Sequence, residues 1–178
     1  VELISHYQSV SSVPLAIALG GEWGSGMRLD KMQDYPYQMT LGAIADDSLI
    51  YEMGKRIAKE FKLLGLTINL APVADINNNP ANPVINYRSF GENRKLVAQK
   101  VINYFSGMQD NGILATAKHF PGHGDTSTDS HYDLPLISHS SERFDSLELY
   151  PFRQAINAGI GAVMSAHLSI PALDSTSN

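Results

Sequence analysis

The chain has 178 residues, 43% of them hydrophobic and 17% charged, the balance of an ordinary folded domain with a sizeable core rather than a disordered segment. Its 13 basic and 18 acidic residues leave a net charge of -5, which excludes the basic surface that tracks nucleic-acid phosphates. No apolar run approaches the roughly 18 residues that span a bilayer, the N-terminal VELISHYQSV lacks the basic-then-apolar order of a signal peptide, and the absence of cysteine removes disulfides and thiolate metal sites and leaves the redox compartment open.

Taken in order, Val1 to Val10 reads as a helix with Leu3, Ile4, Tyr7 and Val10 on one face. PLAIAL (Pro14 to Leu19) follows as a strand, then the Gly-rich GGEWGSG, which does not fit the G-x-G-x-x-G register of a dinucleotide fingerprint and reads as a tight loop. From Asp46 to Leu64, Ile50, Met53, Ile57, Phe61 and Leu64 recur at steps of three and four, with Asp46 or Asp47 as N-cap and Gly65 as the stop. INLAPVAD (Ile68 to Asp75) is the next strand. Asn93 to Asn111 repeats the helical design through Val97, Val101, Tyr104, Phe105 and Met108, ending at Gly112. ILATAK (Ile113 to Lys118), a helical region from about Ser141 to Ala158 with Pro151 opening a turn, and GAVMSAH (Gly161 to His167) complete the series. None of the four strands alternates cleanly, so each is expected to be buried on both faces of a parallel sheet.

Strand and helix in regular alternation fit an α/β architecture, either a (β/α)8 barrel or an open doubly wound sheet. Asp75, Lys118 with His119, and His167 stand at C-terminal strand ends, and Glu22 follows the first strand. In a barrel such ends converge on one mouth; an open sheet gathers ligands only at a switch point. The pattern therefore favours a partial TIM-type barrel of about four parallel βα units.

The densest polar stretch is KHFPGHGDTSTDSH, Lys118 to His131. Pro121, Gly122 and Gly124 turn the chain, and Asp125 to His131 form a polar loop over the mouth. Lys118 needs a partner, either a carboxylate such as Asp75 or a polar ligand. His119 and His123, four apart, with Asp129 and His131 are of ligand types that suit zinc. Their intervening F-P-G-H cannot be helical, so no metal is expected. In Asp129-Ser130-His131 the carboxylate can orient the imidazole and raise its basicity, which would make a proton shuttle near neutral pH; taken alone, a D-x-H reads as a solvated polar loop.

Together with NNNPANPVINYRSFGEN (Asn77 to Asn93), GEWGSGMR (Gly21 to Arg28), ELYPF (Glu148 to Phe152) and VMSAHLSIPALD (Val163 to Asp174), this stretch resembles glycoside hydrolase family 3, in its bacterial β-N-acetylglucosaminidase branch, over essentially the whole chain. The resemblance implies a TIM-type barrel that releases non-reducing terminal β-N-acetylglucosamine, for example from peptidoglycan or chitin fragments, with retention of configuration and without a cofactor. It implies His131 as general acid and base held by Asp129, with Lys118, His119, Arg88 and Arg28 on the sugar; Asp75 and Glu22 are expected to brace the site. It further implies that residues 1–178 are the central part of one barrel domain without internal boundary, truncated at both ends. The nucleophilic aspartate then lies beyond Asn178, and missing barrel segments or self-association are expected to cover the open edges. A carbohydrate is the expected partner, and bacterial cytoplasm or periplasm the expected compartment. One position departs from the family pattern: Gly20 stands where an aspartate two residues before the glutamate would contact sugar hydroxyls. The alternatives are a carbohydrate-binding or structural barrel fragment without catalysis and a β-glucosidase of the same family.

Overall fold

The computed structural model describes residues 1–128 and 134–174. Its helices are α1 (Glu2–Val10), α2 (Gln38–Gly42), α3 (Ser48–Leu64), α4 (Arg94–Gln109), α5 (Ser141–Ser146) and α6 (Leu149–Asn157), with short 3-10 turns at Ser25–Met27 and Asn86–Arg88. Four strands, β1 (Ala18–Leu19), β2 (Ile68–Asn69), β3 (Leu114–Phe120) and β4 (Ala162–Ser165), form one parallel sheet in the order β1-β2-β3-β4. Ala18 is in register with Ile68, Ile68 with Leu114, and Thr116 with Ala162. Sequential strands lying side by side, each reached through a helical crossover, are the partial TIM-type barrel that the alternating pattern predicts.

The long helices form where the apolar period predicts them. In α3, Ile50, Met53, Ile57 and Phe61 are buried, and Gly65 closes the helix in the left-handed region at φ 79°. Asp47 holds the N-cap position, but the side chain that bonds the Ser48 N–H is that of Asp46, at 3.0 Å. Asp47 is released to pair with the buried Lys100 of α4. In α4, Asn93 caps the N-terminus by accepting from the N–H groups of Lys95 and Leu96. The expected helix over 141–158 divides into α5 and α6, with Pro151 in the first turn of α6, where no N–H is required of it.

Two expectations are corrected. The outer strands are not buried on both faces: Val163 of β4 is 38% exposed, and Ala18 is exposed too. Among the described residues β1 and β4 pair on one side only, which leaves their far edges open. In α1 the stripe is real but mostly wet, with Leu3, Tyr7 and Val10 exposed and only Ile4 packing on the main core, against Gly65. No helix among the described residues is long and apolar enough to cross a membrane.

The core joins α3, α4 and α6 to the sheet. Ala115 and Ala117 of β3 face these helices, so the intervening Thr116 and Lys118, buried as well, point to the opposite side of the sheet. That parity brings a charged lysine to the strand end on the inner face. α3 and α4 approach closely enough that a Cβ on Gly107 would strike the Tyr51 carbonyl, and one on Gly54 the Tyr104 carbonyl. Because the obstacles are backbone, they cannot swing aside. Gly107→Ala should therefore destabilise the fold by about 1–3 kcal/mol despite its better helix propensity. Urea unfolding followed by circular dichroism checks this, and an unchanged or raised midpoint would show that the helices can separate without cost.

Candidate active site

The site is built on a buried carboxylate. Glu22, three residues past β1, is fully buried and accepts from Arg88 in a two-point contact, Nη2 to Oε1 at 2.6 Å and Nε to Oε2 at 3.0 Å. Lys118 Nζ reaches the same Oε1 at 2.8 Å. The lysine partner suggested by the sequence, Asp75, is thus replaced by Glu22. The loop carrying Glu22 is held from below: Asn69 of β2 bonds both the N–H and the carbonyl of Gly21, and the Tyr104 hydroxyl donates to the Gly21 and Glu22 carbonyls. Burial pushes the Glu22 carboxyl up, but hydrogen bonding from Arg88 and the charges of Lys118 and Arg88 outweigh it and hold the group below the ordinary glutamate range. Burial draws Lys118 below the usual lysine value against the pull of Glu22.

A second buried carboxylate organises the K-H-F-P-G-H-G segment. Asp75 Oδ2 accepts from the His119 N–H at 3.1 Å and contacts His119 Nδ1 at 2.8 Å, while Oδ1 accepts from the His123 N–H at 2.7 Å. Burial raises the Asp75 carboxyl, and the opposing charge and hydrogen bonds of His119, with the His123 N–H, bring it below the normal aspartate value. Since an ionised carboxylate only accepts, His119 carries a proton on Nδ1, facing Asp75. Asn82 completes the turn by donating to the His123 and Gly124 carbonyls at 2.8 and 3.0 Å. At Gly124 the chain passes so close to the Ile76 carbonyl that no Cβ fits.

These segments surround a cavity of about 650 Å³ lined by Trp23, Arg28, Tyr87, Arg88, His119, His123 and the β4 end from Met164 to His167, a volume in the range of small-molecule sites. Of the residues that the sequence singles out, Arg28, Arg88 and His119 line this cavity, and Lys118 lies behind them on Glu22. Arg88 is both a partly buried ion-pair partner of Glu22 and a wall of the cavity. Arg28 is exposed and donates through Nε to the Gly20 carbonyl at 3.2 Å. Asp129 and His131 lie outside the described residues. The His119 ring turns Nδ1 to Asp75 and the His123 ring turns Nδ1 to the Thr126 hydroxyl, at 2.8 Å each, and no group of three metal-binding side chains occurs among the described residues.

Sequence reasoning misses Asn69, Asn82 and Trp23. Asn82 had a signal, because the N-P-A-N-P run is turn-forming and its side chain accepts from the Val84 and Ile85 N–H groups in a local turn. Asn69 had none, since an asparagine within an apolar strand does not announce which loop it holds.

Both carboxyls lose their protons more readily in the folded chain than in an unfolded one. The stability they supply is complete above the ordinary carboxylate range and is lost as pH falls through the depressed folded values. Glu22→Gln leaves Arg88 and Lys118 without their anion, so it should cost about 3–5 kcal/mol at neutral pH. It should also flatten the acid-side decline of stability. Denaturant unfolding from neutral pH to about pH 3 reads both effects, and an acid slope equal to that of the wild type would remove the Glu22 ion pair from the folded state.

Relatives carry the same chain over most of its length. A "Beta-hexosaminidase A" of Pseudoalteromonas piscicida is 39% identical over 95% of this chain and 29% of its own length. A "Beta-hexosaminidase" of Nitrosomonas eutropha is 33% identical over 97% of this chain and 51% of its own. The chain therefore spans about half or less of these relatives. Among solved structures, a glycoside hydrolase family 3 β-N-acetylglucosaminidase from Paenibacillus sp. str. FPU-7 superposes with a TM-score of 0.94 at 46% identity, over 98% of this chain and 34% of that one. NagZ from Neisseria gonorrhoeae, in complex with N-trifluoroacetyl-D-glucosamine, superposes at 0.89 with 29% identity, over 98% of this chain and 54% of that one. The model of the glycosyl hydrolase family 3 N-terminal domain matches residues 3–178, strand-end site included, and the chain belongs to that family.

Proposed function

We propose that this chain carries the acid/base half of a retaining β-N-acetylglucosaminidase acting on non-reducing terminal β-N-acetylglucosamine in glycans such as peptidoglycan fragments. The observation that carries the reading is the grip of Asp75 on His119 and His123, which folds K-H-F-P-G-H-G over the cavity at the strand ends and leads the chain directly into the D-S-H stretch. The sugar class is supported by the names of the relatives and by the N-trifluoroacetyl-D-glucosamine bound to the Neisseria protein.

In this reading the terminal sugar lies over Arg88 and His119. Arg88 has five N–H bonds, of which Glu22 and the Val84 carbonyl take three. The remaining two, with the His119 ring at the cavity wall, suit vicinal hydroxyls, and Lys118 sets the charge behind them. His131, oriented by Asp129, gives its proton to the departing glycosidic oxygen while a carboxylate supplied by the rest of the protein attacks the anomeric carbon. The imidazole then takes a proton from the water that opens the glycosyl-enzyme ester. Residues 1–178 act here as the central part of one barrel, and the open edges of β1 and β4 are where further barrel segments or a second copy pair.

In the complete enzyme, His131→Ala should slow glycosides with poor leaving groups far more than an activated aryl glycoside, whose departure needs little acid. Asp129→Asn should give a weaker version of the same selectivity. Steady-state rates on an alkyl and a nitrophenyl N-acetylglucosaminide decide this, and equal losses on both would remove the general-acid role.

Gly20 supplies a second test. A Cβ built there lies 3.7 Å from Arg28 Nη2 and meets nothing nearer, so the backbone accepts a side chain at this position. Gly20→Asp should tighten N-acetylglucosamine binding by roughly one to two powers of ten, the scale of a charge-assisted hydrogen bond. Calorimetric titration measures it. Unchanged or weaker binding would mean that Arg28 has captured the new carboxylate and that sugar recognition here does not depend on this position.

A further inference from the structure

Three aromatic side chains meet at the rim of the cavity instead of in the core. Trp23 meets Tyr37 edge-on with ring centroids 4.8 Å apart, Tyr37 lies 4.7 Å from Tyr87, and Trp23 lies 6.2 Å from Tyr87. Tyr37 and Tyr87 remain 46% and 47% exposed, while Trp23 is half-buried and lines the cavity beside Tyr87. Each ring is the sequence neighbour of a buried polar residue that cross-links the fold. Trp23 follows Glu22, Tyr87 precedes Arg88, and Tyr37 precedes Gln38, whose amide bonds both the N–H and the carbonyl of Val73 at 3.1 Å. The ion pair that builds the cavity floor thereby also sets Trp23 beside Tyr87. Isolated exposed aromatics need no explanation, but a contiguous, anchored patch marks a contact surface.

We propose that Trp23, Tyr37 and Tyr87 form a stacking platform for a second sugar ring, the one on the leaving-group side of the scissile bond. The inference rests on the glycosidase reading above and adds to it the selection of the leaving group. An enzyme that removes a terminal sugar closes around that sugar, and the remainder of the glycan passes out through the mouth, where these rings stand. A β-linked pyranose offers a flat face of C–H bonds, which matches the electron-rich face of an aromatic ring, while its hydroxyls stay at the edge in water. A protein partner fits less well. A stable interface takes about 800 Å² from each side, and three rings of about 150–250 Å² each, already in contact with one another, supply less.

The test compares N,N′-diacetylchitobiose, whose leaving group is a sugar, with N-acetyl-β-glucosaminyl fluoride, whose leaving group is one atom. In the full-length protein, Trp23→Ala should lower the ratio of kcat/KM for the disaccharide to that for the fluoride by about tenfold, chiefly through KM. Trp23→Phe should restore most of the ratio. Tyr87→Ala, at a half-exposed position, should lower it as well, which keeps the test valid if Trp23→Ala does not fold. A wild type that hydrolyses both substrates, with a ratio left unchanged by these variants, would overturn the platform alone. Equal losses on both substrates would do the same and would assign the rings to the terminal sugar. A wild type inactive on both would overturn the glycosidase reading, and the platform with it.

Discussion

The single carboxylate of Glu22 is the constraint on which the rest of the site depends. Its two oxygens hold Arg88 from the loop before α4 and Lys118 from the end of β3, so three segments far apart in sequence are fixed to one buried point. Taking any one of these charges out of water alone would cost several kcal/mol. Together with Asp75, whose charge also acts on Arg88 and Lys118, the cluster sets two anions against these cations. Opposite charges at one place are why these ionised groups tolerate their burial. It also explains the fixity of the loop after β1: Asn69 and Tyr104 hold its backbone from beneath while the ion pairs hold its side chain from above. The geometry of the mouth is thus set by buried polar bonds rather than by the short strands, two of which have only two residues each.

Much of this was legible in the sequence, for reasons that differ from residue to residue. α3 and α4 were readable because apolar period and capping residues agree there, and a Gly65 in the left-handed region ends a helix in any context. The exposure of the outer strands was not readable. Apolar runs such as GAVMSAH carry no mark of whether a neighbouring strand exists to cover them, and burial is decided by what stands opposite. Arg88, Arg28, Lys118 and His119 are singled out by motifs, and the first two with His119 line the cavity, yet the partner of Lys118 was not legible. Asp75 and Glu22 both stand near strand ends, and only the inner-face geometry of β3 decides that the ammonium reaches Glu22 while Asp75 turns to the His119 and His123 backbone. The rim aromatics escaped notice because Trp23, Tyr37 and Tyr87 are spread over more than sixty positions, and each taken alone looks like an ordinary aromatic.

The stretch that bears Asp129 and His131 is bounded by a further polar cluster. Asp125, just before it, accepts from His139 Nε2 at 2.7 Å and from Arg143 Nη2 at 3.3 Å, and Arg143 also reaches Glu148 Oε1 at 3.1 Å. Residues 125 and 139 are fourteen apart in sequence and within hydrogen-bonding reach in space, so the ends of the intervening chain are held together by a hydrogen bond. The pairs on Asp125 are only partly buried, and solvent weakens such contacts. They are accordingly softer than the Glu22 cluster.

The charge balance of the floor bears on what it can recognise. Glu22 offsets Arg88 and Lys118 at 2.6 and 2.8 Å, whereas Arg28 at the cavity wall is exposed and held by the Gly20 carbonyl. What remains toward the cavity is a set of directed N–H donors, in a chain whose overall charge is negative. Such a surface discriminates by the geometry of hydrogen bonds and gains little from long-range attraction. The same ion pairs that stabilise the fold therefore fix which Arg88 donors are left over at the cavity wall.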